Sequence, residues 1–179
     1  MRLAVALVLA VPTLAILQGA ASAQEATTFP LRLPSSGGEV IIPSRGGQYA
    51  DDQVGYAPAR RAGDVLYVSG AIVFRGEGEG NDAAAFEAQV RRTLTSLSRT
   101  LEAAGASFDD VALVNSFHVW DGPDFAGSRN EQIEVIARVW REFSDGPRPA
   151  WSAVGTSGLL GAGGIVEIQL TAHAPAGAD

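Results

Sequence analysis

Between residues 64 and 174 two kinds of apolar pattern alternate, and their order predicts an architecture. Asp64 to Phe74 is short, rich in β-branched and aromatic residues, and follows a turn at Ala62-Gly63, the signature of a buried strand. A helix is predicted from Asn81-Asp82, both good caps, with Phe86, Val90, Leu94, Leu97 and Leu101 recurring at helical spacing. Gly105 stops it. Val111 to Trp120 predicts a second strand. A second helix follows Asp121-Gly122-Pro123-Asp124, carries Ile133, Ile136, Trp140 and Phe143 on one face, and ends before Gly146-Pro147. Two strands remain, Trp151 to Thr156 and Ile165 to Ala174. The order strand, helix, strand, helix, strand, strand predicts an α+β or α/β sandwich with helices packed on a mixed sheet.

The N-terminal pattern is of another kind. Met1-Arg2 precedes an apolar run from Leu3 to Leu17 and then Ala21-Ser22-Ala23, the parts of a secretory signal peptide over residues 1–23. A membrane-spanning helix needs about 20 apolar residues, and this run is shorter and contains Pro12. Cleavage after Ala23 is expected, with a periplasmic or secreted product and no membrane attachment afterwards. Residues 24–48, rich in Ser, Gly, Pro and Thr, read as a linker feeding an edge strand at Glu39-Val40-Ile41-Ile42. Residues 49–175 then form one domain.

Charge narrows the partners. All 13 basic residues are Arg, against 20 Asp and Glu, for a formal net charge of −7. Nucleic-acid affinity rests largely on clustered cations, so no nucleic-acid partner is expected. There is no Cys, which excludes disulfides, thiolate nucleophiles and Cys-ligated metals.

Few residues can carry chemistry. The loop Gly76-Glu77-Gly78-Glu79-Gly80 puts carboxylates where a phosphate would have to sit, so it is no nucleotide cradle. Ser69 lacks the Gly-x-Ser-x-Gly elbow of a serine hydrolase. His118 and His173 are the only histidines, and their placement gives no metal-ligand spacing; neither metal nor cofactor is expected. Strand alternation puts Ser116, His118 and Trp120 on one face. His118 there is either a hydrogen-bonded structural residue or a base. Glu167, in Ile165-Val166-Glu167-Ile168-Gln169-Leu170, either shares a solvated face with Gln169 or sits in a pocket where it moves protons or orients water.

Several segments together resemble a known family: Tyr56, Gly63 to Gly70, Leu101 to Val111, Asp124-Phe125, Arg148-Pro149-Ala150 and Val166-Glu167-Ile168. They resemble the Rid (YjgF-like, reactive-intermediate deaminase) family, often labelled endoribonuclease L-PSP, over about residues 50–175. The resemblance implies a chorismate-mutase-like α+β fold with two helices on one face of a mixed sheet. It also implies a homotrimer with small-molecule clefts between subunits, and hydrolysis of 2-imino or enamine acids to 2-oxo acids and ammonia. Residue by residue, Tyr56 and Gly70 match the family's cleft tyrosine and glycine. Glu167 matches the acidic residue that orients water, and the family's asparagine has an offset counterpart at Arg129 or Asn130. Trp151 stands where the family carries the arginine that clamps the substrate carboxylate. Pro149-Ala150-Trp151-Ser152-Ala153-Val154-Gly155 resembles the YjgH-like branch, which shares this tryptophan.

An indole offers one N–H donor where a guanidinium offers a charged fork, so a clamped imino acid is a poor substrate for this chain. Trp151 is then either a core or interface aromatic or a ligand-stacking residue. Arg148 or Arg129 can restore anion binding only if its guanidinium points into the cleft. Two functions follow: an imine or enamine hydrolase using Glu167, with Tyr56, Gly70, Asn130 and Trp151 binding substrate, or a non-catalytic trimer that binds a small ligand.

Overall fold

The computed structural model describes residues 27–177, so the leader-like segment 1–23 lies outside the described residues. Seven strands form one sheet: β1 (Leu31–Ser35), β2 (Gly38–Ile42), β3 (Ala59–Ala62), β4 (Val65–Phe74), β5 (Val111–His118), β6 (Ala150–Gly155) and β7 (Gly164–His173). Their spatial order is β1-β2-β3-β4-β7-β5-β6. Helix α1 (Arg45–Tyr49) is a single turn continued by a wider one over Ala50–Val54; α2 (Ala83–Ala103) and α3 (Arg129–Trp140) are the long helices.

Most of the topology follows from β7. It lies between β4 and β5 and is antiparallel to both, so β4 and β5 run parallel although they do not touch. Helix α2 makes the crossover between them, and α3 makes the next, from β5 to the parallel β6. Parallel strands require such crossovers, and both helices therefore cover one face of the sheet. This is the α+β, chorismate-mutase-like arrangement. β7, flanked on both sides, supplies the buried Ile165, Val166, Ile168, Leu170 and Ala172.

The long helix matches its pattern. Phe86, Val90, Leu94, Leu97 and Leu101 are all buried, the Asp82 carboxylate caps the Ala85 N–H, and Gly105 takes the left-handed conformation that ends the helix. Helix α3 starts later than expected, because Ser128 and Glu131 form a capping box at Arg129. Its buried face is Gln132, Val135, Ile136 and Val139, so Ile133 and Trp140 lie at the margin and Phe143 lies beyond the helix. Trp140 and Phe143 still pack on Phe108, at ring separations of 4.7 and 5.3 Å.

The N-terminal segment adds two strands to the sheet. Residues 31–42 form an antiparallel hairpin, and β1, rather than Glu39–Ile42, is the outer strand. β3 is hidden in the sequence by charge, since Ala59-Arg60-Arg61-Ala62 lacks an apolar run. Its Arg61 is nonetheless buried, donating to Glu39 and to the Ala104 carbonyl at the end of α2. The loop Gly76–Gly80 is exposed at Glu77 and Gly78 but stapled at Glu79. Glu79 accepts from Arg92 at 2.6 Å and from the Gly76 N–H at 2.8 Å, and these donors hold its carboxyl down to about 2.

Candidate functional site

Sheet register assigns the candidate residues to faces. One row, on the helix side, reads Val68, Leu170, Val114, Trp151; the next reads Ala71, Ile168, Ser116, Ala153. Another row, on the side without helices, reads Ile72, Glu167, Phe117, Val154. Trp151 and Glu167 of one chain therefore lie on opposite faces of the sheet.

Glu167 is half-buried, and its carboxylate makes no hydrogen bond or ion pair among the described residues. It lies against Gly70. A Cβ added at Gly70 would collide with the Glu167 carboxylate and sit 2.7 Å from its Cδ, so the absence of a side chain is what lets the carboxylate rest there. Gly70 and Ser69 occupy a bulge in β4, where Val68 pairs with Leu170 and Ala71 with Ile168, leaving one residue extra. The Ser69 hydroxyl donates to the Ala57 carbonyl at 2.6 Å, tying the bulge to the segment that carries Tyr56. Tyr56 and Gly70 line one cavity of about 270 Å³, with Ser96 and Thr100 of α2 on its wall. Tyr56 is itself exposed. Asn130, in the first turn of α3, is exposed and lines neither this cavity nor the one beside Trp151.

Trp151 belongs to a second constellation. Its indole Nε1–H donates to Ser116 Oγ at 2.8 Å. Ser116 Oγ lies 2.7 Å from His118 Nε2, and His118 Nδ1 lies 3.0 Å from Gln132 Oε1. Gln132 Nε2 donates to the Val119 carbonyl at 3.3 Å. One proton arrangement satisfies every group. Because the Gln132 amide nitrogen faces a carbonyl, its oxygen faces His118 and accepts from Nδ1–H. Nε2 is then bare and accepts the Ser116 hydroxyl proton, leaving Ser116 Oγ to accept from Trp151. Ser116, His118 and Gln132 are wholly buried, and burial pushes the His118 imidazole below its ordinary 6.5. Both ring nitrogens are spent inside the protein, and the ring stacks on Trp120 at 4.3 Å. His118 is thus structural, with no nitrogen free for a substrate.

Beneath Trp151 lies a cavity of about 120 Å³ between β6 and α3, lined by Val114, Ser116, Ile136, Ala137, Trp140, Arg148, Pro149 and Ile168 as well. Arg148 is exposed at its edge, whereas Arg129 is drawn to Asp121 at 3.4 Å. Gln132 was not anticipated as a functional position. Its signal is a polar residue in phase with Val135, Ile136 and Val139 on a buried helical stripe. Among the described residues no group of three or more His, Asp or Glu side chains is placed to hold a metal ion. No helix among them is long and apolar enough to cross a membrane.

The crossover topology and the carboxylate seated on a glycine bulge define a member of a family of small α+β proteins. A family model described as Endoribonuclease L-PSP matches residues 49–174. RutC family protein YjgH of Escherichia coli K12 is 40% identical over 121 residues, covering 67% of this chain and 83% of the relative. A solved structure described as Protein YJGH has a TM-score of 0.57 at 36% identity, covering 78% of this chain and 98% of its own. Rv2704 of Mycobacterium tuberculosis, described as a member of the YjgF/YER057c/UK114 family, has a TM-score of 0.52 at 31% identity, covering 71% and 93%. The chain belongs to the YjgF/RidA family.

Proposed function

We propose that the chain is an exported hydrolase of small imines or enamines that works on the face carrying Glu167. The observation that carries this reading is the uncommitted, half-buried Glu167 carboxylate held against Gly70; the cavity that Tyr56 lines is walled by α2 and does not include Glu167. A carboxylate with no internal partner is free to accept a proton from water. Water oxygen adds to the carbon of the C=N bond while Glu167 takes the water proton. Nitrogen takes that proton from Glu167 to give the carbinolamine; Glu167 then removes the hydroxyl proton and passes it to nitrogen as the C–N bond breaks, so ammonia leaves as the carbonyl forms. On the helix-free face of strands β3 to β7, Arg60 is the one arginine, in a row with Tyr67 rather than Glu167. A substrate lacking a clamped carboxylate fits this face.

The same face leaves apolar side chains uncovered, Tyr67 at 50%, Val154 at 51% and Phe117 at 37% exposure. That supports a homotrimer in which copies cover it and complete the ligand clefts between them. Glu167 of one copy then meets side chains of the next, and not Trp151 of its own chain. The signal-peptide pattern of residues 1–23 supports a periplasmic or secreted location, and the acidic balance supports a small-molecule rather than a nucleic-acid partner.

The test is ammonia release across a panel of imines. Glu167→Gln should lower turnover about a hundredfold or more, the usual scale for a positioned proton acceptor. Ammonia release unchanged in that variant would overturn the mechanism. A second reading, ligand binding without turnover, is favoured by the separate cavity under Trp151.

A further inference from the structure

We infer that the cavity beneath Trp151 is a binding site for a small monocarboxylate whose apolar body is about the size of one aromatic ring. The site lies on the helix face, away from Glu167, and stands whether or not that carboxylate turns over an imine. The walls set the body of the ligand. Val114, Ile136, Ala137 and Ile168 are aliphatic, and the Trp140 and Trp151 rings close the sides. The volume of about 120 Å³ is close to the roughly 150 Å³ of an apolar cavity known to take up benzene.

Polar groups along the wall are already used. The Ser116 hydroxyl accepts from Trp151 and donates to His118, the Trp151 N–H is bound to Ser116, and Pro149 has no N–H. A polar body would lose its hydrogen bonds to water and gain none here, whereas a hydrocarbon body loses nothing. The same bonds hold the Trp151 ring in place before any ligand arrives, so little ordering is left for binding to impose.

Charge at the rim sets the headgroup. Arg148 is exposed at the cavity edge with no carboxylate in ion-pair reach among the described residues. An adjoining depression of about 220 Å³, sharing Trp140 and Arg148, adds Arg141 and Asp145. Two guanidiniums against one carboxylate leave a net positive entrance on a chain of net charge −7. A carboxylate anchored there meets the planar fork that suits it, with its hydrocarbon part in the cavity.

Benzoate and its neutral counterpart benzamide separate these contributions, read through the indole N–H resonances of the three tryptophans of the full-length protein. Benzoate should shift Trp140 and Trp151 saturably and leave Trp120 in place, and benzamide should bind about tenfold more weakly, the loss of roughly one charged hydrogen bond. Arg148→Ala, a surface change, should make the two ligands equal. Ala137→Leu, which fills the cavity, should abolish binding of both, while Glu167→Gln should alter neither. Unshifted Trp140 and Trp151, equal affinities in the unmodified protein, or a benzoate preference that survives Arg148→Ala would each overturn the site. Loss of benzoate binding with Glu167-dependent turnover intact would remove this site and leave the hydrolase standing.

Discussion

At His118 one imidazole links a strand, a helix and the indole of Trp151. The chain of donors runs one way, from Trp151 through Ser116 and His118 to Gln132 and the Val119 carbonyl, and only a neutral ring completes it. Protonation would make both ring nitrogens donors, and the buried Ser116 hydroxyl would lose its acceptor. Burial accordingly holds the imidazole below its ordinary 6.5. The unfolded chain then binds the proton first as pH falls. The neutral-state stabilisation is complete above about 6.5 and is lost as pH drops from there toward the folded value. Thermal unfolding between pH 7 and 5 should show a falling Tm that His118→Gln flattens. An NMR titration placing the His118 pKa at or above about 6.5 would contradict this account. Alternation along the strand puts Ser116, His118 and Trp120 on one face, and that much is legible in the sequence. The choice between base and structural residue was not, because Gln132, which decides it, is 14 residues away on a different element.

Among the elements, β4 shows how a bulge sets a side chain elsewhere. The extra residue at Ser69-Gly70 bends the strand, and the missing Gly70 side chain leaves room for the Glu167 carboxylate on the neighbouring β7. Gly70 is not in the left-handed region, so the first atoms that Gly70→Ala meets are Cγ, Cδ and Oε1 of the Glu167 side chain, which must swing away. The variant should fold with stability changed by less than about 1 kcal/mol, as Gly-to-Ala changes at tolerant positions do. It should displace Glu167, seen as an altered carboxyl carbon shift, and lower imine turnover in parallel. A Tm drop of many degrees, or a Glu167 signal left in place, would refute the assignment. Helix α2 was readable because five apolar residues at regular spacing all reach the core. The face of α3 was misjudged because buried Gln132 is polar while the marginal Ile133 and Trp140 are apolar. Strands β1 and β3 went unread for a related reason. β1 is an edge with mostly exposed residues, and Arg61 in β3 is buried by virtue of Glu39 and a helix-end carbonyl.

For the whole molecule, helices cover one side of the sheet and, among the described residues, no helix covers the other. If copies associate through that side, a charge placed there must oppose association without touching the core. Phe117→Arg should shift the assembly toward monomers in sedimentation, with helix content by circular dichroism unchanged. Assembly unaffected by that charge would exclude the helix-free face as the interface. What the sequence by itself determined is the succession of strands and helices from residue 64 onward, since apolar spacing is a local property, and, through the segments it shares with its members, the resemblance to the YjgF/RidA family. It also singled out Trp151 as the departure from the family's arginine. Only the tertiary structure decided where that departure lies. Strand register places Trp151 on the helix side and Glu167 on the open side, so two residues named for one pocket serve two faces. Register is a relation between strands far apart in the chain, set by the packing of the whole sheet, and no local pattern carries it.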